Sequence, residues 1–333
     1  MSETLLAIES SCDDTGASII IDAEIASNVV SSQIDHQNLG GVVPELASRK
    51  HMESIGWVVE EAVKNARIEK KDIDAIAFTR GPGLMGSLLV GVSFAKSMAQ
   101  ALDIPIIEVN HMEAHILSHF IDDPVPDFPF LCLTVSGGHT QIVKVFDYNK
   151  MEVLGQTLDD AAGEAFDKAG KIMGLPYPAG PHIDRLAQKG QAVFPLPHPT
   201  VDKYHFSFSG LKTAFLYFLQ KEMKKDPGFI DNNIHDLAAS LQSTIVHILL
   251  KELKQTSQDT SINEIAIAGG VSANSALRSQ LSKVGAELGW NVYIPKLEYC
   301  IDNAAMIAQA AWFKYLHQEF SSFNITADPR LKV

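Results

Sequence analysis

Leu5-Leu-Ala-Ile-Glu-Ser-Ser-Cys-Asp-Asp-Thr-Gly-Ala-Ser-Ile-Ile-Ile21 reads as a strand over 5–10, a turn over 11–16 and a second strand over 17–21. Such a hairpin presents backbone N–H groups and one carboxylate, Asp13 or Asp14, toward a phosphate. An ordinary Asp-Thr-Gly turn fits the same residues. What decides the fold is that the pattern returns. Phe130-Leu-Cys-Leu-Thr-Val-Ser136 is a buried strand, Gly137-Gly138 a turn, and His139 to Phe146 a second strand. Each hairpin is followed by α/β elements. After the first come a strand over 73–79, the glycine-rich Arg80-Gly-Pro-Gly-Leu-Met-Gly86 and a helix over 87–101. After the second come a strand over 262–268, Gly269-Gly-Val-Ser-Ala-Asn274 and a helix over 275–288. Two hairpin-first α/β halves predict an internal duplication, with glycine turns at strand ends around a nucleotide-binding cleft.

Between the halves, Ile104 to Asn110 reads as a strand and His111-Met-Glu-Ala-His115 opens a helical run to Phe120. Residues four apart share a helix face, so His111 and His115 point the same way and suit one metal ion. The peptidase pattern H-E-x-x-H does not apply, because Met112 follows His111. At about 100° per residue, Glu113 lies about 200° round from His111, away from the pair. Two histidines on a helix surface are the alternative.

The chain has 333 residues, 46% hydrophobic and 20% charged, which suits a globular protein of two domains. Cys12, Cys132 and Cys300 are odd in number and far apart, as expected of reduced thiols in the cytoplasm. No apolar run approaches membrane-spanning length, and no signal peptide or membrane association is expected. The net charge of −13 argues against gripping nucleic acid by bulk electrostatics. A polar stretch over 31–38 precedes Gly40-Gly-Val-Val-Pro-Glu-Leu-Ala-Ser-Arg-Lys-His51, and Ile55, Val58, Val59, Ala62 and Val63 mark a helix from Met52 to about Ala66. Glu45, Arg49 and His51 read either as a substrate-facing cluster or as a solvated helix start. The 80–86 loop lacks the Gly-Lys-Ser/Thr of a P-loop, and its glycines serve close packing equally well.

Eight motifs in order carry a resemblance across essentially the whole chain: Ile8-Glu-Ser-Ser-Cys-Asp-Asp-Thr15, Gly40 to Arg49, His111 to His115, Val135-Ser-Gly-Gly-His-Thr140, Asp160-Ala-Ala-Gly-Glu-Ala-Phe-Asp-Lys168, Phe206-Ser-Phe-Ser-Gly-Leu-Lys-Thr213, Ala268 to Asn274 and Cys300-Ile-Asp-Asn-Ala-Ala-Met306. The chain resembles the TsaD family of tRNA N6-adenosine threonylcarbamoyltransferases, formerly called O-sialoglycoprotein endopeptidases. The resemblance implies an α/β, duplicated actin/Hsp70/sugar-kinase-like (ASKHA) fold. It implies transfer of a threonylcarbamoyl group from threonylcarbamoyl-AMP to N6 of adenosine 37 in tRNAs reading ANN codons.

It further implies that His111, His115 and Asp302 hold a divalent metal, Fe(2+) or Zn(2+), the Asp302 ligand coming from the resemblance alone. Thr134, Val135, Ser136, Gly137 and Gly138 would line the phosphate and acyl group. Asp167, Gly180, Asp184 and Asn274 would hold the nucleoside. Asp167 pairing with Lys171 along a helix face is the alternative for that residue. Asp13 is assigned the catalytic role of positioning the amine or accepting its proton. Ala179 and Asp14 stand where the family has Gly and Glu. Implied partners are the tRNA anticodon loop, a TsaB-like paralogue as heterodimer mate and a TsaE-like ATPase. Lys50, Arg80, Lys168, Lys171 and Lys212 are the candidate tRNA contacts. The expected domains are 1–110, joined by the C-terminal helix region 303–333, and 111–302. A kinase of the same fold, a metallopeptidase and a non-catalytic scaffold are the rival readings.

Overall fold

The computed structural model describes residues 2–33, 36, 40–199 and 201–333, so the polar stretch over 31–38 lies partly outside the described residues. The chain forms two compact units, residues 1–125 with 295–333, and residues 126–294.

The first unit starts with β1 (Thr4–Glu9), β2 (Asp14–Ile21) and β3 (Glu24–Ser32), an antiparallel meander. Then follow α1 (Pro44–Asn65), β4 (Ala75–Gly81), α2 (Met85–Leu102), β5 (Ile106–Asn110) and α3 (His111–Leu117). β4 and β5 add to β1 in parallel, giving the order β3-β2-β1-β4-β5. Every residue of β1 is buried, as befits a central strand covered on both faces. Helix α1 begins at Pro44, well before the expected Met52. Proline suits a helix's first turn, where its missing N–H costs nothing. The predicted stripe Ile55, Val58, Val59, Ala62 and Val63 is its buried face.

The second unit repeats the plan. β6 (Phe130–Val135), β7 (Thr140–Asp147) and β8 (Lys150–Gln156) form the meander. α4 (Ala162–Ile172), α5 (Gly180–Ala187), α6 (Ser209–Met223) and the long α7 (Phe229–Thr260) follow. Then come β9 (Glu264–Ala268), α8 (Ser275–Leu288) and β10 (Asn291–Tyr293). The order is β8-β7-β6-β9-β10, with the same strand senses as in the first unit. The duplication read from the two hairpins is therefore present strand for strand. Each unit has its own core, around Ile8, Ile19, Val58 and Phe78 in the first and Leu133, Phe206, Phe208 and Ile245 in the second.

The chain then returns to the first unit through α9 (Leu297–Cys300) and α10 (Ala304–Leu316). Residues 304–312 of α10 are all buried, against β1 to β5 and α3. The close approach rests on small residues: a Cβ on Gly16 would sit 3.0 Å from the Ala304 nitrogen. The boundaries lie at 125 and 294, whereas the sequence reading set them at 110 and 302. Helix α3 runs straight on from β5 and packs against α10, so both histidines and Asp302 belong to the first unit.

Candidate metal centre and glycine turns

Asn110 ends β5 and caps α3, its Oδ1 accepting from the N–H groups of Met112 (2.8 Å) and Glu113 (3.4 Å). That cap fixes where the helix starts, and therefore where His111 points. His115 follows one turn later, and the two rings meet edge to face with centroids 4.7 Å apart. Asp302 arrives from nearly two hundred residues away. Asn303 beside it caps α10 through Met306 N–H (3.0 Å) and donates back to the Ile301 carbonyl (2.8 Å), which pins the residue between. Asp302 Oδ1 lies 3.4 Å from His111 Nε2 and 3.2 Å from His115 Nε2. Two ligands each about 2.1 Å from a tetrahedral ion stand about 3.4 Å apart, which the two Asp302 distances match, and all three ligand atoms lie within 4.8 Å of one another. Among the described residues, His111, His115 and Asp302 are the one group of three or more His, Cys, Asp or Glu side chains that could hold a metal ion.

Glu9 was missed as a site residue. It is fully buried at the end of β1. Its Oε1 accepts from Ser11 N–H, and its Oε2 accepts from Thr79 Oγ1 at 2.6 Å and stands 3.1 Å from His111 Nδ1. Burial opposes the charged ring of His111, but the carboxylates of Glu9 and Asp302 outweigh it and push its pKa up to about 10. Burial alone would raise both carboxyls; the His111 charge beside them holds Glu9 and Asp302 below the ordinary carboxylate range. His115 goes the other way: its burial prevails and keeps the ring neutral. A buried carboxylate, a half-buried one and two imidazoles form a set that a divalent cation would balance. Glu113 lies elsewhere. Burial raises its carboxyl, and its charged neighbours are Lys314 and Glu108, in keeping with the far-face placement.

Asp13 is half-buried in the β1–β2 loop. That loop is tightly held. His51 is buried, bonded to Thr15 Oγ1 (2.7 Å) and to the Cys12 carbonyl (3.0 Å), while Glu45 and Arg49 form an exposed ion pair. The supposed cluster of those three therefore divides into one structural histidine and two surface residues. The glycines of the 80–86 loop serve packing. A Cβ on Gly83 would lie 2.4 Å from the Ser11 carbonyl, and one on Gly81 would overlap the Asp328 carbonyl of the C-terminal tail.

In the second unit, Thr134 and Val135 are buried in β6, and Ser136, Gly137 and Gly138 form the turn to β7. Ser136 N–H donates to the His139 carbonyl (2.8 Å), while Gly137 and Gly138 are exposed with open space where a Cβ would stand. The turn is buttressed by glycines: a Cβ on Gly163 would be 2.6 Å from the Ser136 carbonyl, and one on Gly269 2.6 Å from that of Val135. Asp167 and Gly180 come together, since Asp167 Oδ1 accepts from the Ala179 N–H at 2.7 Å at the start of α5. Burial raises the Asp167 carboxyl, and the backbone N–H groups of Ala179 and Gly180 oppose it. Its carboxylate therefore caps α5 rather than pairing along α4 with Lys171. Ala179 has φ −81° and ψ −22°, open to any residue, so replacing glycine there strains nothing. Asp184 and Asn274 meet at the start of α8. Asp184 accepts from Ser275 Oγ at 2.6 Å, and Asn274 caps Leu277 N–H at 3.0 Å.

The doubled 3-2-1-4-5 sheet makes this an α/β protein of the sugar-kinase-like (ASKHA) fold. Two solved structures share the fold at 16% sequence identity. Full-length HypF in its phosphate- and nucleotide-bound form matches 94% of this chain and 46% of its own, with a TM-score of 0.61. The ROK hexokinase of Thermus thermophilus matches 95% of this chain and 99% of its own, with a TM-score of 0.51. This chain thus spans about half the length of HypF. The model of the family TsaD, tRNA N6-adenosine threonylcarbamoyltransferase, matches residues 24–309. Proteins bearing that name from Christiangramia forsetii and Cytophaga hutchinsonii are 57% and 56% identical. They cover 98% and 100% of this chain, and 98% and 97% of their own lengths. The chain belongs to the TsaD family.

Proposed function

We propose that this chain transfers the threonylcarbamoyl group of threonylcarbamoyl-AMP to N6 of adenosine 37 in tRNAs reading ANN codons, releasing AMP. The observation that carries the proposal is the convergence of His111, His115 and Asp302 on one point in a member of this family. They would hold one divalent ion, Fe(2+) or Zn(2+), which when bound would act as a Lewis acid on the acyl group. The acceptor is an exocyclic adenine amine, whose lone pair is delocalised into the ring. Its reaction therefore depends on positioning and proton removal. Asp13 is the group proposed for that task. The N–H groups of the exposed residues Gly137 and Gly138 are the proposed partners of the phosphate or carbonyl oxygen; the Ser136 N–H is engaged with the His139 carbonyl. Asp167 with Gly180, and Asp184 with Asn274, are the proposed nucleoside contacts.

The partners are tRNA, a TsaB-like mate and a TsaE-like ATPase, and the setting is the cytoplasm. Among the described residues no helix is long and apolar enough to cross a membrane. Of the candidate tRNA contacts, Arg80 pairs with Glu108, Lys50 with Glu53, Lys168 with Asp160 and Glu164, and Lys212 with Asp160. Cations already engaged release few counterions, so binding of tRNA by the isolated chain should be weak and shallow in salt. A mate supplies what is missing, and α1 and α2 leave Met52, Trp57, Met85 and Leu89 exposed. The test is adenosine modification in a tRNA transcript given threonylcarbamoyl-AMP, with and without the two partners, beside the metal content of the protein. Modification dependent on His111, His115 and Asp302 is expected. Full turnover by a chain lacking all three would overturn the proposal.

A further inference from the structure

Glu9 stands in an apolar strand and is wholly buried, yet both its oxygens are engaged, and one of them faces His111. Oε1 accepts from Ser11 N–H and Oε2 from Thr79 Oγ1, so the group meets His111 as an acceptor. The His111 Nδ1 that stands 3.1 Å from Glu9 Oε2 therefore carries a proton, and Nε2 is the atom turned toward Asp302 Oδ1, 3.4 Å away. Ser11 Oγ lies 3.2 Å from the same Nδ1, and as a hydroxyl it too can accept.

We infer that Glu9 is a positioning residue: its carboxylate fixes the tautomer and plane of His111 so that Nε2 presents its lone pair to the metal. This rests on the reading of His111, His115 and Asp302 as a metal site. A metal-bound histidine commonly donates its other ring N–H to a carboxylate, which orients the ring and raises its basicity. Here the carboxylate is fixed from three sides. Ser11 N–H holds Oε1, Thr79 Oγ1 holds Oε2 at 2.6 Å, and β1 and β4 pair in parallel through Ile8 and Phe78, the residues just before Glu9 and Thr79. The ring cannot turn without breaking that bond.

Glu9→Gln isolates the effect, because it keeps the shape and exchanges one acceptor for a donor. The amide oxygen belongs opposite Ser11 N–H, since an NH2 group there would meet another donor. The NH2 then faces His111 Nδ1. Thr79 can adjust, its hydroxyl turning to accept and pointing its proton toward the Ile8 carbonyl at 3.5 Å. His111 either moves its proton to Nε2, where it blocks the metal, or keeps an Nδ1–H against the new NH2 with only Ser11 Oγ left to accept it.

The test uses the full chain stripped of metal and titrated with Zn(2+) alone. Glu9→Gln is expected to weaken binding about 10–100-fold, as loss of such an outer partner does. Thr79→Val is the control. It removes a hydrogen bond from the same carboxylate but leaves the acceptor facing His111, so it should bind nearly as the wild type does. A second measurement needs no variant: ¹⁵N-resolved NMR of the Zn(2+)-loaded wild type should show His111 protonated at Nδ1. Glu9→Gln binding as tightly as wild type overturns the inference about Glu9 and leaves the metal site standing. So does an unprotonated Nδ1 in the loaded wild type, which also decides the matter should Glu9→Gln fail to fold. A wild type that takes up no Zn(2+) overturns the metal site and the role of Glu9 together.

Discussion

Replacing His111 with alanine removes the ring that stands between the buried carboxylate of Glu9, 3.1 Å away, and the half-buried one of Asp302, 3.4 Å away. In the metal-free chain that ring carries the charge that keeps both ionised. Removing one partner of a buried pair costs about 3–5 kcal/mol, because the remaining charge is left uncompensated. At about 2–4 °C per kcal/mol for a unit of this size, the melting point of the metal-free variant should fall by about 6–20 °C. Because the ring is packed between these carboxylates, His111→Ala should cost stability as well as metal. The sign of the pH dependence follows from the shifts. The folded-state pKa values of Glu9 and Asp302 are depressed, so their contribution is present above the ordinary carboxylate range and lost as pH falls through the folded values. That of His111 is raised to about 10, so its contribution is full below about 6.5 and lost as pH rises through 10. The gap between wild type and variant should therefore be widest at about pH 5–6, between the ordinary carboxylate and imidazole values, narrowing toward acid and again as pH rises from about 6.5 to 10. The assay is thermal unfolding of chelator-treated protein across that range. His115→Ala, which removes a neutral ring bonded to Asp302 alone, should lose less. A His111→Ala variant that melts with the wild type near pH 8, or a His115→Ala variant that loses more, would refute the reasoning.

Glu113→Gln should leave Zn(2+) uptake and adenosine modification near wild type, since its carboxyl lies beside Lys314 and Glu108; loss of modification with metal retained would place a catalytic base there after all. Gly163→Ala puts a Cβ 2.6 Å from the Ser136 carbonyl and 2.8 Å from Gly137 Cα, against backbone that cannot swing away. Its overpacking should destabilise by about 1–3 kcal/mol, read by denaturant unfolding, with a weakened apparent affinity for the acyl donor. Burial pushes Asp14 up to about 7, with the Ser32 hydrogen bond opposing and Asp302, Asp13 and Glu9 adding. A carboxyl raised in the folded state destabilises it as pH rises from about 4 to 7, so Asp14→Asn should stabilise the metal-free chain above pH 7. The gain, after allowing for partial exposure, is on the order of 1–2 kcal/mol and should vanish near pH 4. A variant less stable than wild type at pH 8 would contradict it.

Local signals were enough for the duplication. The two hairpins, the glycine turns after them and the helix opening at Ser275 all follow from residue alternation and turn chemistry within short windows. The His111–His115 pair was legible for the same reason, since one helical turn brings them onto one face. Asp302 was not legible from spacing. Its place depends on α10 returning to pack on a sheet formed by the first hundred residues, with Gly16 admitting the close approach. Glu9 showed only as a charge in an apolar strand. Its meaning depends on β4 lying beside β1, which brings Thr79 to its carboxylate, and on α3 starting at Asn110, which brings His111. The 80–86 loop shows the reverse. Its glycines were plain in the sequence, but Ser11 and the returning tail decide that they serve packing. Periodicity and turn residues act over a few positions and can be read along the chain. A site made by buried charge needs partners that only the folded sheet brings within 3–4 Å, where low dielectric makes their pairing decisive.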